Sequence, residues 1–144
     1  MEAKISKRLK EIVTALPLKE GLRILEIGCG TGVAAREIAK QINDVYVLGL
    51  DRSSKAIEQC MSGSRAEISS GKIQFQQTAI EDFEFDGGKL FDFAFAIRVG
   101  ALDGRHPEIE EKALSNIAKA LKKNGKLFID GGSPLQEVNI RKYR

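Results

Sequence analysis

The sequence predicts an α/β fold built on a parallel, doubly wound sheet. Three observations lead there. Strand-length apolar runs alternate with segments of helical periodicity along the whole chain. The first run, Ile24-Leu25-Glu26-Ile27, feeds a glycine-rich turn, Gly28-Cys29-Gly30-Thr31-Gly32, and a helix opens at once behind it. The next run, Val45-Tyr46-Val47-Leu48-Gly49-Leu50, ends on an acidic residue, Asp51. Alternating strands and helices imply right-handed crossovers and parallel pairing. Ligands then bind beyond the carboxyl ends of the strands, where the strand order reverses.

Each element follows from local chemistry. Ile5, Leu9, Ile12, Val13 and Leu16 recur at three-and-four spacing, so residues 2–16 form an amphipathic helix, closed by Pro17 and Gly21. Strand one is 22–27. Helix A spans about 32–42, with Val33, Ile38, Ala39 and Ile42 inward. Strand two is 45–50. Ser53 or Ser54 caps helix B, whose inward residues are Ala56, Ile57, Cys60 and Met61. The alternating Lys72-Ile73-Gln74-Phe75-Gln76 is strand three. Strand four, near 91–97, is almost continuously apolar, as when both faces are covered. Pro107 suits the first turn of helix D, with Ile109, Ala113, Leu114, Ile117 and Leu121 inward. Asn124-Gly125 ends that helix, and strand five is 126–130.

A chain of 144 residues fits one domain, large enough to bury about two-thirds of its unfolded surface. The expected division is a helix in 1–20, a core over 21–132 and a short tail at 133–144. An apolar content of 42% with 30% charged residues is that of a soluble globular protein. No apolar run approaches a membrane span, and the N-terminus lacks a signal-peptide core. Two cysteines, Cys29 and Cys60, show no metal-ligand or redox spacing, which fits a reduced, cytoplasmic setting. The net charge is only +3. Basic residues cluster at Lys4, Lys7, Arg8 and Lys10, and again at Lys119, Lys122, Lys123, Lys126, Arg141, Lys142 and Arg144. No aromatic residues interleave with them as a base-stacking platform requires, so solvated helix faces are favoured over a nucleic-acid surface.

The turn Gly28-Cys29-Gly30-Thr31-Gly32 is a nucleotide-type cradle, because glycine permits positive φ and removes the Cβ that would hold a ligand away. A dinucleotide fingerprint has the spacing G-x-G-x-x-G, whereas here the third glycine comes one residue early and Val33 takes its place. Glu26, two residues before Gly28, is foreign to that fingerprint as well. The pattern Glu26-x-Gly28-x-Gly30-x-Gly32 resembles motif I of the class I S-adenosylmethionine (SAM)-dependent methyltransferases. Asp51-Arg52-Ser53 resembles the acidic end of that family's second strand, and Thr78-Ala79-Ile80-Glu81-Asp82-Phe83 its adenine-contacting segment. Phe91 to Ala96 resembles its fourth strand, and the helix from Pro107 into Leu127-Phe128-Ile129 its run into the fifth. The resemblance spans residues 20 to 132.

It implies a three-layer Rossmann-like sheet of order 3-2-1-4-5, with SAM as cofactor and no metal. Gly28, Cys29, Gly30 and Gly32 would form the cofactor loop, and Glu26 would organise it and meet the methionine ammonium directly or through water. Asp51 would accept both ribose hydroxyls. Arg52, Thr78, Ala79 and Ile97 would line the adenine. The family often carries an acid where Thr78 stands, so that contact falls either to Glu81-Asp82 or to backbone atoms. Methyl transfer needs a base only if the acceptor must lose a proton. Candidates after strand four are Arg98, Asp103, Arg105 and His106, with Arg98 and His106 foremost. The chain lacks both the Asn/Asp-Pro-Pro-aromatic motif of amine-directed nucleic-acid methyltransferases and a Pro-Cys pair after strand four. A small-molecule acceptor is therefore favoured over nucleic acid. Two other readings stay open: a SAM-binding protein of the same fold without turnover, and an NAD-binding oxidoreductase.

The family usually continues strand five with a helix and two strands. Gly131 to Arg144 is too short for that and supports one short strand at most. Strands 6 and 7 are thus expected to be mostly or wholly missing. The open edge of strand five then points to a homodimer formed through it.

Overall fold

A computed structural model describes residues 5–102, 104 and 106–144. The elements are α1 (Lys7–Ala15), β1 (Leu22–Ile27), α2 (Val33–Gln41), β2 (Val45–Asp51), α3 (Ser54–Gly63), α4 (Arg65–Ser69), β3 (Ile73–Gln77), β4 (Phe91–Ala96), α5 (Pro107–Ala120), β5 (Leu121–Asp130) and β6 (Leu135–Val138). The strands form one sheet in the order β3-β2-β1-β4-β5-β6. All neighbours pair in parallel except β5 and β6. The predicted three-layer fold and its 3-2-1-4-5 order are those observed.

Strand alternation sorts the core onto the two faces of the sheet. Ile24, Val47, Phe93 and Phe95 pack with Val13 of α1, with Leu16 just beyond its end, and with Ala34, Ala35 and Ile38 from α2. Leu25, Ala94, Ala96 and Leu127 face the other way, against Ala113, Leu114 and Ile117 of α5. Covering both faces is what makes β4 read as an unbroken apolar run.

Several boundaries differ from expectation. Helix α1 begins at Lys7 because the Ser6 hydroxyl accepts from the Leu9 amide at 3.2 Å; Met1 to Lys4 lie outside the described residues. Met61 is 46% exposed, and on α3 only Cys60 is fully buried, because that helix covers only the β2–β3 margin of the sheet. The short helix α4 was not anticipated. Helix α5 stops at Ala120, before Asn124-Gly125, because Leu121 already pairs with Phe91. A bulge follows, and Lys126 stands opposite Phe93. A Cβ at Gly125 would lie 2.9 Å from the Lys122 carbonyl, so the bulge requires glycine there.

The tail supplies the one short strand that the sequence allowed. Residues 135–138 form β6, antiparallel to β5 across Leu127–Asp130. One strand is thus present beyond strand five, and it occupies the edge predicted to be open. The strand-five edge through which a homodimer was expected is therefore covered within the chain itself. The new edge is short and carries Glu137, paired with Lys126 at 3.5 Å, both features that discourage edge pairing. The basic clusters are also partly neutralised: Lys122 bonds Asp92 at 2.7 Å and Arg8 bonds Asp130 at 3.0 Å. Among the described residues no helix is long and apolar enough to cross a membrane.

Candidate functional site

The carboxyl ends of β1, β2 and β4 meet at a cleft of about 510 Å³. Its floor is Ile27, Gly28 and Leu50, one wall is Asp51, Arg52 and Thr78 to Glu81, and the other is Ile97 to Ala101 with His106 and Ile109. Of the predicted site residues, Gly28, Asp51, Arg52, Thr78, Ala79, Ile97, Arg98 and His106 line this space. Glu26, Cys29, Gly30 and Gly32 lie in or beneath the loop beside it. Asp103 and Arg105 lie outside the described residues.

The loop is held from both sides. The amides of Gly28 and Cys29 donate to the Leu50 carbonyl at 2.7 and 2.8 Å. Gly28, Gly30 and Gly32 all take positive φ, at 72°, 55° and 88°. A Cβ at Gly28 would come 2.7 Å from Val99 Cγ2, whereas one at Gly30 would enter open space. Asp51 ties the loop to α3: Oδ2 accepts from the Gly30 amide and Oδ1 from the Ser53 amide, each at 2.9 Å. Each carboxylate oxygen keeps further lone-pair capacity toward the cleft.

Glu26 sits under this loop, 3% exposed, and its Oε1 has no hydrogen-bond partner. Burial pushes its carboxyl well above the usual range; the Cys60 thiol and the Asp51 carboxylate push the same way, and Arg36 opposes them. An acid held so asks for a cationic or N–H partner.

The far wall is organised by residues that sequence reading missed. Asn116 of α5 donates from Nδ2 to the carbonyls of Ile80 and Glu81, at 2.9 and 3.0 Å, pinning the segment after Ala79. The Thr78 hydroxyl donates to the Ala79 carbonyl instead. Glu81 lines the cleft and Asp82 does not. Arg98 has a left-handed backbone, φ 55°, and its amide donates to Asp130 Oδ1 at 3.0 Å. The other oxygen of Asp130 accepts from Arg8 of α1, so one carboxylate joins the N-terminal helix to the turn after β4. His106 Nδ1 lies 3.4 Å from Glu108 Oε1 at the rim.

Residues 24–125, more than half of the chain, match the family described as a methyltransferase domain. The chain belongs to the class I SAM-dependent methyltransferases. It is 32% identical over 146 residues to an O-methyltransferase of Aspergillus nomiae, which takes in 98% of this chain and 62% of that protein. A SAM-dependent methyltransferase from Thiobacillus denitrificans, solved with S-adenosyl-L-homocysteine (SAH), superposes with a TM-score of 0.68 at 21% identity, over 87% of this chain and 48% of that one. The [4+2]-cyclase SpnF superposes with a TM-score of 0.69 at 26% identity, over 85% and 43%. The chain therefore spans 62% of the fungal relative and under half of these two structures.

The residues present suit the family's cofactor. A glycine cradle, a carboxylate at the tip of β2 and an unpartnered buried carboxyl below the loop complement a ligand that is cationic at one end and a ribose diol at its middle.

Proposed function

We propose that this chain transfers the methyl group of SAM to a hydroxyl of a small organic acceptor. The observation that carries the reading is the buried, unpartnered Glu26 Oε1 beneath a loop of three positive-φ glycines, with Asp51 facing the cleft beside it. The name of the fungal relative supports an oxygen acceptor. When bound, SAM supplies an electrophilic methyl group on a sulfonium.

The roles of the chain's own residues follow from their places. Glu26 meets the methionine ammonium, directly or through water. Asp51 accepts the ribose hydroxyls while holding the loop. Arg52, Thr78, Ala79 and Ile97 border the adenine, with Glu81 in reach of its edge and Asn116 fixing that segment. Arg98 holds an anionic or polar group of the acceptor at the rim. His106, its Nδ1 directed to Glu108, leaves Nε2 to take the proton that a hydroxyl acceptor loses. Much of the rate comes from holding donor and acceptor in line and excluding water.

SAH at one hundred times its Kd is expected to add about 2.7 kcal/mol of stability. For a domain of this size that raises Tm by about 5–10 °C. NAD under the same conditions should leave Tm unchanged. No shift with SAH or SAM at millimolar concentration, in folded protein, would sink the reading. Turnover is read separately, as SAH formed from SAM in the presence of a panel of small phenols.

Asp51→Ala is expected to weaken SAH binding by about 1.5–3 kcal/mol, the cost of lost hydrogen bonds to a charged acceptor. Calorimetric titration of the variant checks this. Parent-like affinity would move the ribose away from Asp51.

A further inference from the structure

Cys29 and Cys60 are the chain's only cysteines. Their spacing in sequence shows nothing, yet the fold sets their sulfurs 3.8 Å apart in a shared hydrogen bond. Both are buried, at 5% and 0% exposure. Cys29 lies between Gly28 and Gly30 in the loop. Cys60 lies on α3, and its Sγ donates to the Gly30 carbonyl at 3.0 Å. The pair thus braces the loop on the side opposite the cleft.

We propose that Cys29 and Cys60 form an oxidation site, converted by hydrogen peroxide into an intramolecular disulfide that deforms the cofactor loop and releases the ligand. The effect on the ligand rests on the SAM-binding reading above.

The surroundings divide the labour between the sulfurs. Arg36 donates from Nη1 to the Thr31 carbonyl and to Ser64 Oγ, at 2.9 and 3.0 Å. A Cβ at Gly32 would meet Arg36 Nη1 at 2.7 Å and Cys60 Sγ at 3.4 Å, so guanidinium and thiol border one small space. The hydrogen bond from Cys29 and the Arg36 cation hold the Cys60 thiol below its usual range, against burial and the Asp51 carboxylate. That same hydrogen bond, burial, and the Glu26 and Asp51 carboxylates hold Cys29 far above it. Cys60 is therefore the attacking sulfur and Cys29 the resolving one.

The chemistry balances in two steps. Cys60 thiolate attacks one peroxide oxygen; an S–O bond forms, the O–O bond breaks, and the departing hydroxide takes up a proton as water. The Cys29 sulfur then attacks the sulfenic sulfur of Cys60; the S–S bond forms, the S–O bond breaks, and hydroxide leaves with the Cys29 proton as water. Two thiols lose two electrons, and one peroxide becomes two waters. A molecule as small as peroxide needs only local opening of the loop to arrive.

Bond formation draws the sulfurs from 3.8 Å to about 2.05 Å. It also removes the S–H that holds the Gly30 carbonyl, while Asp51 still holds the Gly30 amide from the other side. The loop is pulled toward α3. Oxidation and ligand binding then oppose each other, and the coupling is reciprocal.

The full chain is treated with hydrogen peroxide, and intact mass and SAH affinity are followed together. Expected are the loss of two hydrogens from the monomer mass, a rise in Kd of about tenfold or more, and restoration by dithiothreitol. Saturating SAH should slow the oxidation. Cys60→Ser keeps a hydroxyl donor for the Gly30 carbonyl, so it should bind SAH in reducing buffer and ignore peroxide. Mass gain without disulfide, an intermolecular disulfide, or an intramolecular disulfide with unchanged Kd overturns the proposal. If the reduced protein binds no SAH, the cofactor reading falls instead. The disulfide is then judged by hydrogen exchange of the amides from Gly28 to Arg36. Altered exchange on oxidation upholds loop deformation, and unchanged exchange overturns it.

Discussion

Glu26→Gln is expected to raise the melting temperature of the ligand-free protein, yet to weaken SAH binding by about 2–5 kcal/mol, the cost of removing one member of a buried charge pair. The two effects have one origin. Glu26 is sealed under the glycine loop with one oxygen unpaired, and burial lifts its carboxyl well above the ordinary 4.5. Below that ordinary value both folded and unfolded chains hold the proton, and Glu26 costs the fold no ionisation. As pH rises from there through the elevated folded value, the unfolded chain ionises freely while the folded one resists, so stability is lost. Glutamine has no such loss. Ligand binding runs the other way, because the ammonium proposed to lie beside Glu26 would favour the carboxylate. SAH affinity should therefore climb with pH through the same window in the parent, and stay flat in the variant. Melting curves and calorimetric titrations of both proteins, from acid to mildly alkaline pH, read this directly. Parallel Tm profiles in parent and variant would show that Glu26 does not titrate as argued.

Gly28→Ala is expected to cost about 1–2 kcal/mol for a side chain in the left-handed region, and about 1–3 kcal/mol more for overpacking. The backbone there has φ 72°, and the new Cβ would stand 2.7 Å from Val99 Cγ2. Valine is stiff at χ1 and cannot swing away cheaply. Adding Val99→Ala should return the overpacking part and leave the backbone part. A double-mutant cycle on denaturant-derived stabilities isolates that coupling. Strict additivity would mean that the turn after β4 does not press on the loop. SAH affinity should fall in the single variant as well, since Gly28 lines the floor of the cleft.

Much of this molecule was legible in the chain. Alternation of apolar runs with helical periods located β1 to β4, α2 and the start of α5 nearly to the residue. The glycine loop and Asp51 stood out because both are local, a turn and a strand tip. Met61 and the start of β5 were misread for a related reason: a helix covering a sheet margin buries a narrower stripe than periodicity assumes, and a bulge obeys no period. The tail showed too little alternation to reveal that β6 would close the edge of β5.

The sequence by itself determined the elements, their order and the cradle, since periodicity, capping and turn chemistry act over a few residues. Tertiary structure alone decided what surrounds the cradle. Cys29 and Cys60, 31 positions apart, meet because α3 returns over the glycine loop. Asp130 reaches Arg8 across 122 positions and Arg98 across 32, because β5 lies beside β4 and ends at the same level. Asn116 pins the segment after Ala79 because α5 packs against it. Such contacts depend on strand order and register, which emerge from burying both faces of the sheet at once and leave no mark on the local spacing of residues.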